Sequence, residues 1–112
     1  MENKLNILWT SDNVITAEHM VMMYATNTLV KKIWDEVTVI IWGATSKLVA
    51  EDKHIQELII DAQGKGVKFS ACIACATNLG TQKALENLGI ELIGWGKPLT
   101  EIIKNKEHLI TV

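Results

Sequence analysis

Val37-Thr38-Val39-Ile40-Ile41-Trp42, closed by Gly43, is the stretch that decides the fold. Apolar, mostly β-branched residues follow one another with almost no polar alternation. That is the composition of a strand covered on both faces, as in a parallel sheet. The neighbouring segments repeat the unit. Upstream, Leu5 to Trp9 is a short apolar run ended by the turn formers Thr10-Ser11-Asp12-Asn13, which predicts a first strand. Ser11, Asp12 and Asn13 can each cap a following helix, expected from about Val14 to Trp34. Its apolar residues Ile15, Ala17, Val21, Tyr24, Ala25, Leu29 and Ile33, with Met20, Met22 and Met23, occupy much of its circumference. Such a helix is buried on more than one side. Two readings stay open: a core helix with methionine fillers, or a helix whose outer side lies in a subunit interface.

Downstream, Lys47 to Ala62 carries Ile55, Leu58, Ile59 and Ala62 at helical spacing, with Asp52 placed to start a fresh turn and Gly64-Lys65-Gly66 as the stop. Val67 to Ala71 predicts a third strand. Cys72 to Leu88 predicts helix, broken near Gly80, with Ala84, Leu85 and Leu88 facing inward. Ile90 to Ile93 predicts a fourth strand, Pro98 the first residue of a short helix through Lys104, and His108 to Val112 a last strand. Alternation of strand and helix with short connections predicts one α/β domain over residues 1–112. Its expected form is a three-layer α/β/α domain with a five-stranded, mainly parallel, flavodoxin-like sheet. Ligands of such sheets bind outside the carboxyl ends of the strands. Thr10–Asn13, Gly43–Lys47, Ala71–Cys75 and Gly94–Pro98 are therefore expected to share one rim.

Composition narrows the function. The 112 residues carry a net charge of −2, with 48% hydrophobic and 21% charged residues, the balance of a folded globule. There is no basic excess, and all 11 basic residues are lysine, so the planar fork that grips phosphate is missing and nucleic acid is not the expected partner. No apolar run reaches membrane-spanning length. The segment from Met1 to Trp9 lacks the charged-then-apolar layout of a secretory leader, which points to the cytoplasm. Two cysteines in that reducing compartment are expected as thiols.

Those cysteines are the strongest chemical signal: Ala71-Cys72-Ile73-Ala74-Cys75-Ala76, at the junction of a strand and a helix. Helix amino-terminal amides favour a thiolate, and Cys72 is expected to lie nearer to them. The C-x-x-C spacing lets Cys75 act as a second, resolving thiol; the alternative is two small buried side chains. A zinc site would have to recruit His19, His54 or His108, which fall in separate elements. The rim adds candidate ligand contacts at Asp12, Asn13, Trp42, Gly43, Lys47, Trp95 and Gly96. Asp12 and Asn13 double as helix caps, and Lys47 is expected to open a helix from which it could face a sulfur anion. Gly94-x-Gly96 lacks the third glycine of a dinucleotide fingerprint.

The run Phe69-Ser70-Ala71-Cys72-Ile73-Ala74-Cys75-Ala76-Thr77-Asn78-Leu79-Gly80 resembles the DsrE/DsrF family, with its YchN-like and TusD-like members. The similarity extends over Ile40-Ile41-Trp42-Gly43-Ala44 with Lys47-Leu48, and over Gly89-Ile90 and Gly94-Trp95-Gly96-Lys97-Pro98-Leu99-Thr100, in matching order. The resemblance implies that Cys72 is the sulfur-carrying cysteine, that Cys75 is the extra cysteine of the YchN-like branch, and that Gly80 is the family glycine. Many members place arginine just before that glycine; this chain has Leu79. The resemblance further implies trimers or hexamers, and a persulfide carrier acting between sulfur donor and acceptor proteins with neither metal nor cofactor. The competing reading is a non-enzymatic, small-molecule-binding or oligomeric accessory module with structural cysteines. Thiol–disulfide exchange is a third reading, weakened by the absence of a proline-bearing loop of the thioredoxin kind.

Overall fold

The computed structural model of the chain describes residues 3–112; Met1 and Glu2, where the segment read for a leader begins, lie outside the described residues. Five strands, β1 (Lys4–Trp9), β2 (Glu36–Ile41), β3 (Lys68–Cys72), β4 (Glu91–Ile93) and β5 (Leu109–Thr111), form one sheet in the order β4-β3-β2-β1-β5. Every neighbouring pair is parallel; Val37 of the deciding stretch lies opposite Leu5, and Ile40 opposite both Leu8 and Ser70. The chain steps outward from β1 to β4 and then returns to lay β5 beside β1. Parallel crossovers share one hand, so the outward steps place their helices on one face and the return step places its helix on the other.

The first face carries a helical rod over residues 14–30, made of α1 (Val14–Thr16), a π-helical stretch (Ala17–Met22) and α2 (Met23–Val30). It also carries α3 (Ala44–Glu51), α4 (Lys53–Gly64), α5 (Ile73–Leu79) and α6 (Gln82–Asn87). Under them lies the main core, in which Leu5, Ile7, Trp9, Val37, Val39, Ile41 and Phe69 meet Val21, Val49, Ile55, Ile59 and Leu85. The second face has one helix, α7 (Gly96–Lys104), whose Leu99 and Ile102 pack with Leu8, Ile40, Cys72, Ile93 and Leu109. The α/β/α layering of the sequence reading holds, with an unequal division between the faces.

The uncovered part of the second face is polar. Glu36 pairs there with Lys4 at 3.5 Å and with Lys68. The hydrogen bond from Lys68 draws the Glu36 carboxyl below its ordinary range; partial burial opposes this, and the charges of Lys68 and Lys4 reinforce it. An open cavity of about 570 Å³ runs past Thr38, Lys68, Ser70, Glu91 and Trp95.

Several boundaries differ from the expected ones. The rod ends at Val30 instead of Trp34, because Lys32 turns to φ +58° and the amides of Ile33 and Trp34 fold back onto the Thr28 carbonyl at 2.9 and 3.2 Å. The helix expected from Lys47 starts at Ala44 instead, directly after Gly43. Asp52 does start a fresh helix: its Oδ1 accepts from the Ile55 amide at 3.0 Å. Gly80, at φ +69°, separates α5 from α6 as expected. Pro98 is the third residue of α7 and not the first. Its missing N–H still falls among the first four amides, which have no acceptor inside the helix.

Candidate functional site

All strands run one way, so the turns after β1, β2, β3 and β4 open on the same rim, as the sequence predicts. The structure divides the candidate residues on that rim between the two faces of the sheet.

Cys72 is the last residue of β3 and the cap residue before α5, with extended backbone at φ −71° and ψ 117°. The pleat sends its side chain to the same face as Lys68 and Ser70. There it is buried, 6% exposed, beside Ile40, Trp95 and Ile102. Cys75, one turn on, is half-buried against the same cluster. Both are free and lie one helical turn apart. Cys72 stands at the amino-terminal cap of α5, as expected, but its sulfur takes no capping bond from the helix amides, and the Gly43 amide acts on Cys75. The strand pleat sets Cys72 against Ile102 of α7. Burial pushes the Cys75 thiol above its ordinary value; the Gly43 amide opposes this, and the adjacent Cys72 adds to it.

Trp95, Trp42 and Gly43 surround this pair. The Trp95 indole is buried and donates from Nε1 to Ser70 Oγ at 2.8 Å, while Ser70 Oγ donates to the Glu91 carbonyl at 3.1 Å. Trp42 packs half-buried on the same cluster, its amide fixed to the Trp9 carbonyl at 3.1 Å. Gly43 sits at φ +68° and ψ −130°, a conformation open to glycine and strained for other residues. Gly96 begins α7, exposed at the rim, where its carbonyl accepts from Thr100 Oγ1 at 2.7 Å.

Asp12, Asn13 and Lys47 lie elsewhere on the rim. Asn13 caps α1, its Oδ1 accepting from the Thr16 amide at 2.9 Å. Asp12 and Lys47 line a separate cleft of about 470 Å³ with Ala44, Leu48, Glu51 and Leu79. Neither cysteine lines that cleft. Leu79 presents its apolar side chain to this cleft. The rim loops are tied down by Thr45 Oγ1 donating to the Ser11 carbonyl at 3.0 Å and by the buried Ser46–Thr81 hydroxyl contact at 2.6 Å. The histidines sit apart: His54 and His19 face Glu18 at 3.0 and 3.8 Å, and the His108 ring packs on Trp34. Among the described residues, no three histidine, cysteine or carboxylate side chains are grouped to hold an ion.

Ser70, Ile40 and Ile102 complete the thiol pocket and were not singled out from the sequence. Ser70 had a visible signal, a hydroxyl between the apolar residues Phe69 and Ala71. Ile102 had none, since its role depends on which face α7 crosses. Two thiols one helical turn apart suit sulfur–sulfur exchange.

No family model matches the chain, and no curated protein matches it. Among solved structures it is similar to a conserved protein of unknown function from Bacteroides thetaiotaomicron, with TM-score 0.96, 40% identity, and 98% of this chain and 95% of that one covered. It is also similar to a protein of unknown function from Methanobacterium thermoautotrophicum, with TM-score 0.69, 15% identity, and 97% and 98% covered; that likeness is one of fold.

Proposed function

The chain belongs to one family with the Bacteroides thetaiotaomicron protein, and we propose that it is a persulfide carrier working through Cys72. The observation that carries this reading is the pair of free thiols at the carboxyl rim of a parallel sheet, Cys72 seated among Ile40, Trp95 and Ile102 and Cys75 packed against the same cluster. The Cys72 thiolate attacks the outer sulfur of a donor persulfide, the donor S–S bond breaks, the donor leaves as a thiolate, and Cys72 holds the sulfur as Cys–S–SH. An acceptor thiolate then removes that outer sulfur. The apolar cluster around Cys72 shields the persulfide, and the resemblance to the DsrE/DsrF family supports the same chemistry. The carrier is placed in the cytoplasm, where such thiols stay reduced. It is further proposed to be a homo-oligomer, because Ile15, Met23, Val30 and Ile33 on and beyond the rod are 70%, 49%, 58% and 57% exposed; the resemblance to the DsrE/DsrF family implies a trimer or hexamer.

A second reading has its own support. Cys72 is only 6% exposed and the Cys75 thiol is pushed up by burial, which fits structural cysteines in a binding or accessory module. The two are separated by treating Cys75→Ser and Cys72→Ser with glutathione persulfide and weighing the intact chains. A gain of one sulfur on Cys75→Ser alone supports the carrier. No gain on either folded variant supports the module.

A further inference from the structure

The position of Cys75 bears on what happens to a sulfur once Cys72 holds it. We infer that Cys75 limits the lifetime of the Cys72 persulfide by attacking its inner sulfur, closing a Cys72–Cys75 disulfide and releasing hydrosulfide. The inference rests on the carrier reading and assigns the second cysteine of the same site.

A persulfide has two sulfurs, and which one a neighbour reaches decides the product. The inner sulfur is Cys72 Sγ itself, and Cys75 packs against the same apolar cluster one helical turn away. Attack there forms the Sγ–Sγ bond, breaks the bond to the outer sulfur, and expels HS⁻, a good leaving group. No atom or electron is unaccounted for: one persulfide and one thiolate become one disulfide and one hydrosulfide. Two electrons from an external dithiol return the pair to thiols. The backbone permits closure. Cys72 and Cys75 are the cap and third residues of α5, which puts their Cα atoms about 5 Å apart by helix geometry, within the span of about 4.4–6.8 Å in which disulfides form. The surroundings favour this partner over an outside thiol. Cys72 is buried among Trp95 and Ile102, whereas Cys75 already packs against the same cluster. A sulfur not collected by an acceptor therefore leaves as sulfide, and the carrier resets by reduction.

The test uses the reduced full chain under anaerobic conditions with glutathione persulfide as the donor. Intact mass and released sulfide are followed over time for the wild type, Cys75→Ser and Cys75→Ala, each confirmed folded by circular dichroism. The inference expects the wild type to lose the mass of two hydrogens and release one sulfide per chain in excess of the donor blank. Both Cys75 variants should keep the mass of one added sulfur and release no more sulfide than the blank. Wild type that holds its added sulfur as long as the Cys75 variants do would overturn the inference and leave the carrier intact. Cys75 variants that never gain a sulfur would overturn the carrier reading and the inference with it.

Discussion

Replacing Ser70 by alanine tests the hydrogen bond that seats Trp95 over Cys72. In the wild type the indole Nε1 donates to Ser70 Oγ at 2.8 Å, and Trp95 is 7% exposed. Ser70→Ala leaves that N–H facing a methyl group with little access to water. An unsatisfied buried donor costs about 1–3 kcal/mol, and the Glu91 carbonyl loses the hydroxyl that donated to it. A loss of about 2 kcal/mol lowers the melting temperature by roughly 8 °C for a domain near this size. Trp95→Phe removes the N–H and shrinks the ring, so it costs stability by itself. Ser70→Ala added to Trp95→Phe has no orphaned donor left to create and should cost at least about 1 kcal/mol less than it does alone. Urea unfolding of the four proteins, read by circular dichroism, measures the cycle. If Ser70→Ala costs the same with and without the indole, the bond does not hold Trp95 and the described architecture of the pocket is wrong. Loosening Trp95 should also uncover Cys72, so iodoacetamide should label Cys72 several-fold faster in Ser70→Ala than in the wild type.

Gly43→Ala should destabilise the chain by about 1–3 kcal/mol, because φ +68° with ψ −130° is closed to a residue with a Cβ, and a urea midpoint equal to that of the wild type would contradict the assigned turn. Glu36→Gln should lower stability at neutral pH by at most about 1 kcal/mol, since the Glu36 side chain is 28% exposed and its ion pairs are screened. The folded Glu36 value is depressed, so its contribution is fully present above the ordinary carboxylate value of 4.5 and is lost as pH falls through the lower folded value. Thermal melts across that acid range should show the two proteins converging, and a constant gap would refute the pairing. In Cys72→Ser, burial still raises the Cys75 thiol, so its alkylation should reach half its maximal rate above the ordinary cysteine value. A midpoint below that value would show that the Gly43 amide outweighs burial.

The layering of the fold was legible because β2 is apolar without alternation and because Asp52 and Gly80 announce their breaks by local chemistry, a side-chain cap and a left-handed backbone. The end of the rod was not. Lys32 takes positive φ without being glycine or asparagine, and the turn closes through the Thr28 carbonyl, which any residue could supply. The single helix on the second face follows from strand order, a non-local property. Its trace is still present in the sequence. Lys4, Asn6, Glu36, Thr38, Lys68 and Glu91 alternate with core residues at the start of their strands, and the alternation fades toward Ile40 and Cys72, where α7 arrives. For the site, C-x-x-C identified the two thiols, but the side of the sheet each would occupy is set by the pleat of β3 and the register of its neighbours. That is why the Gly43 amide meets Cys75, and why Lys47 and Asp12 fall into another cleft.

The most direct measurement for the carrier is intact mass after glutathione persulfide treatment of Cys75→Ser beside Cys72→Ser. The account predicts one added sulfur on Cys75→Ser, removable by a thiol, and none on Cys72→Ser. An added sulfur on Cys72→Ser, or none on a folded Cys75→Ser, would contradict it.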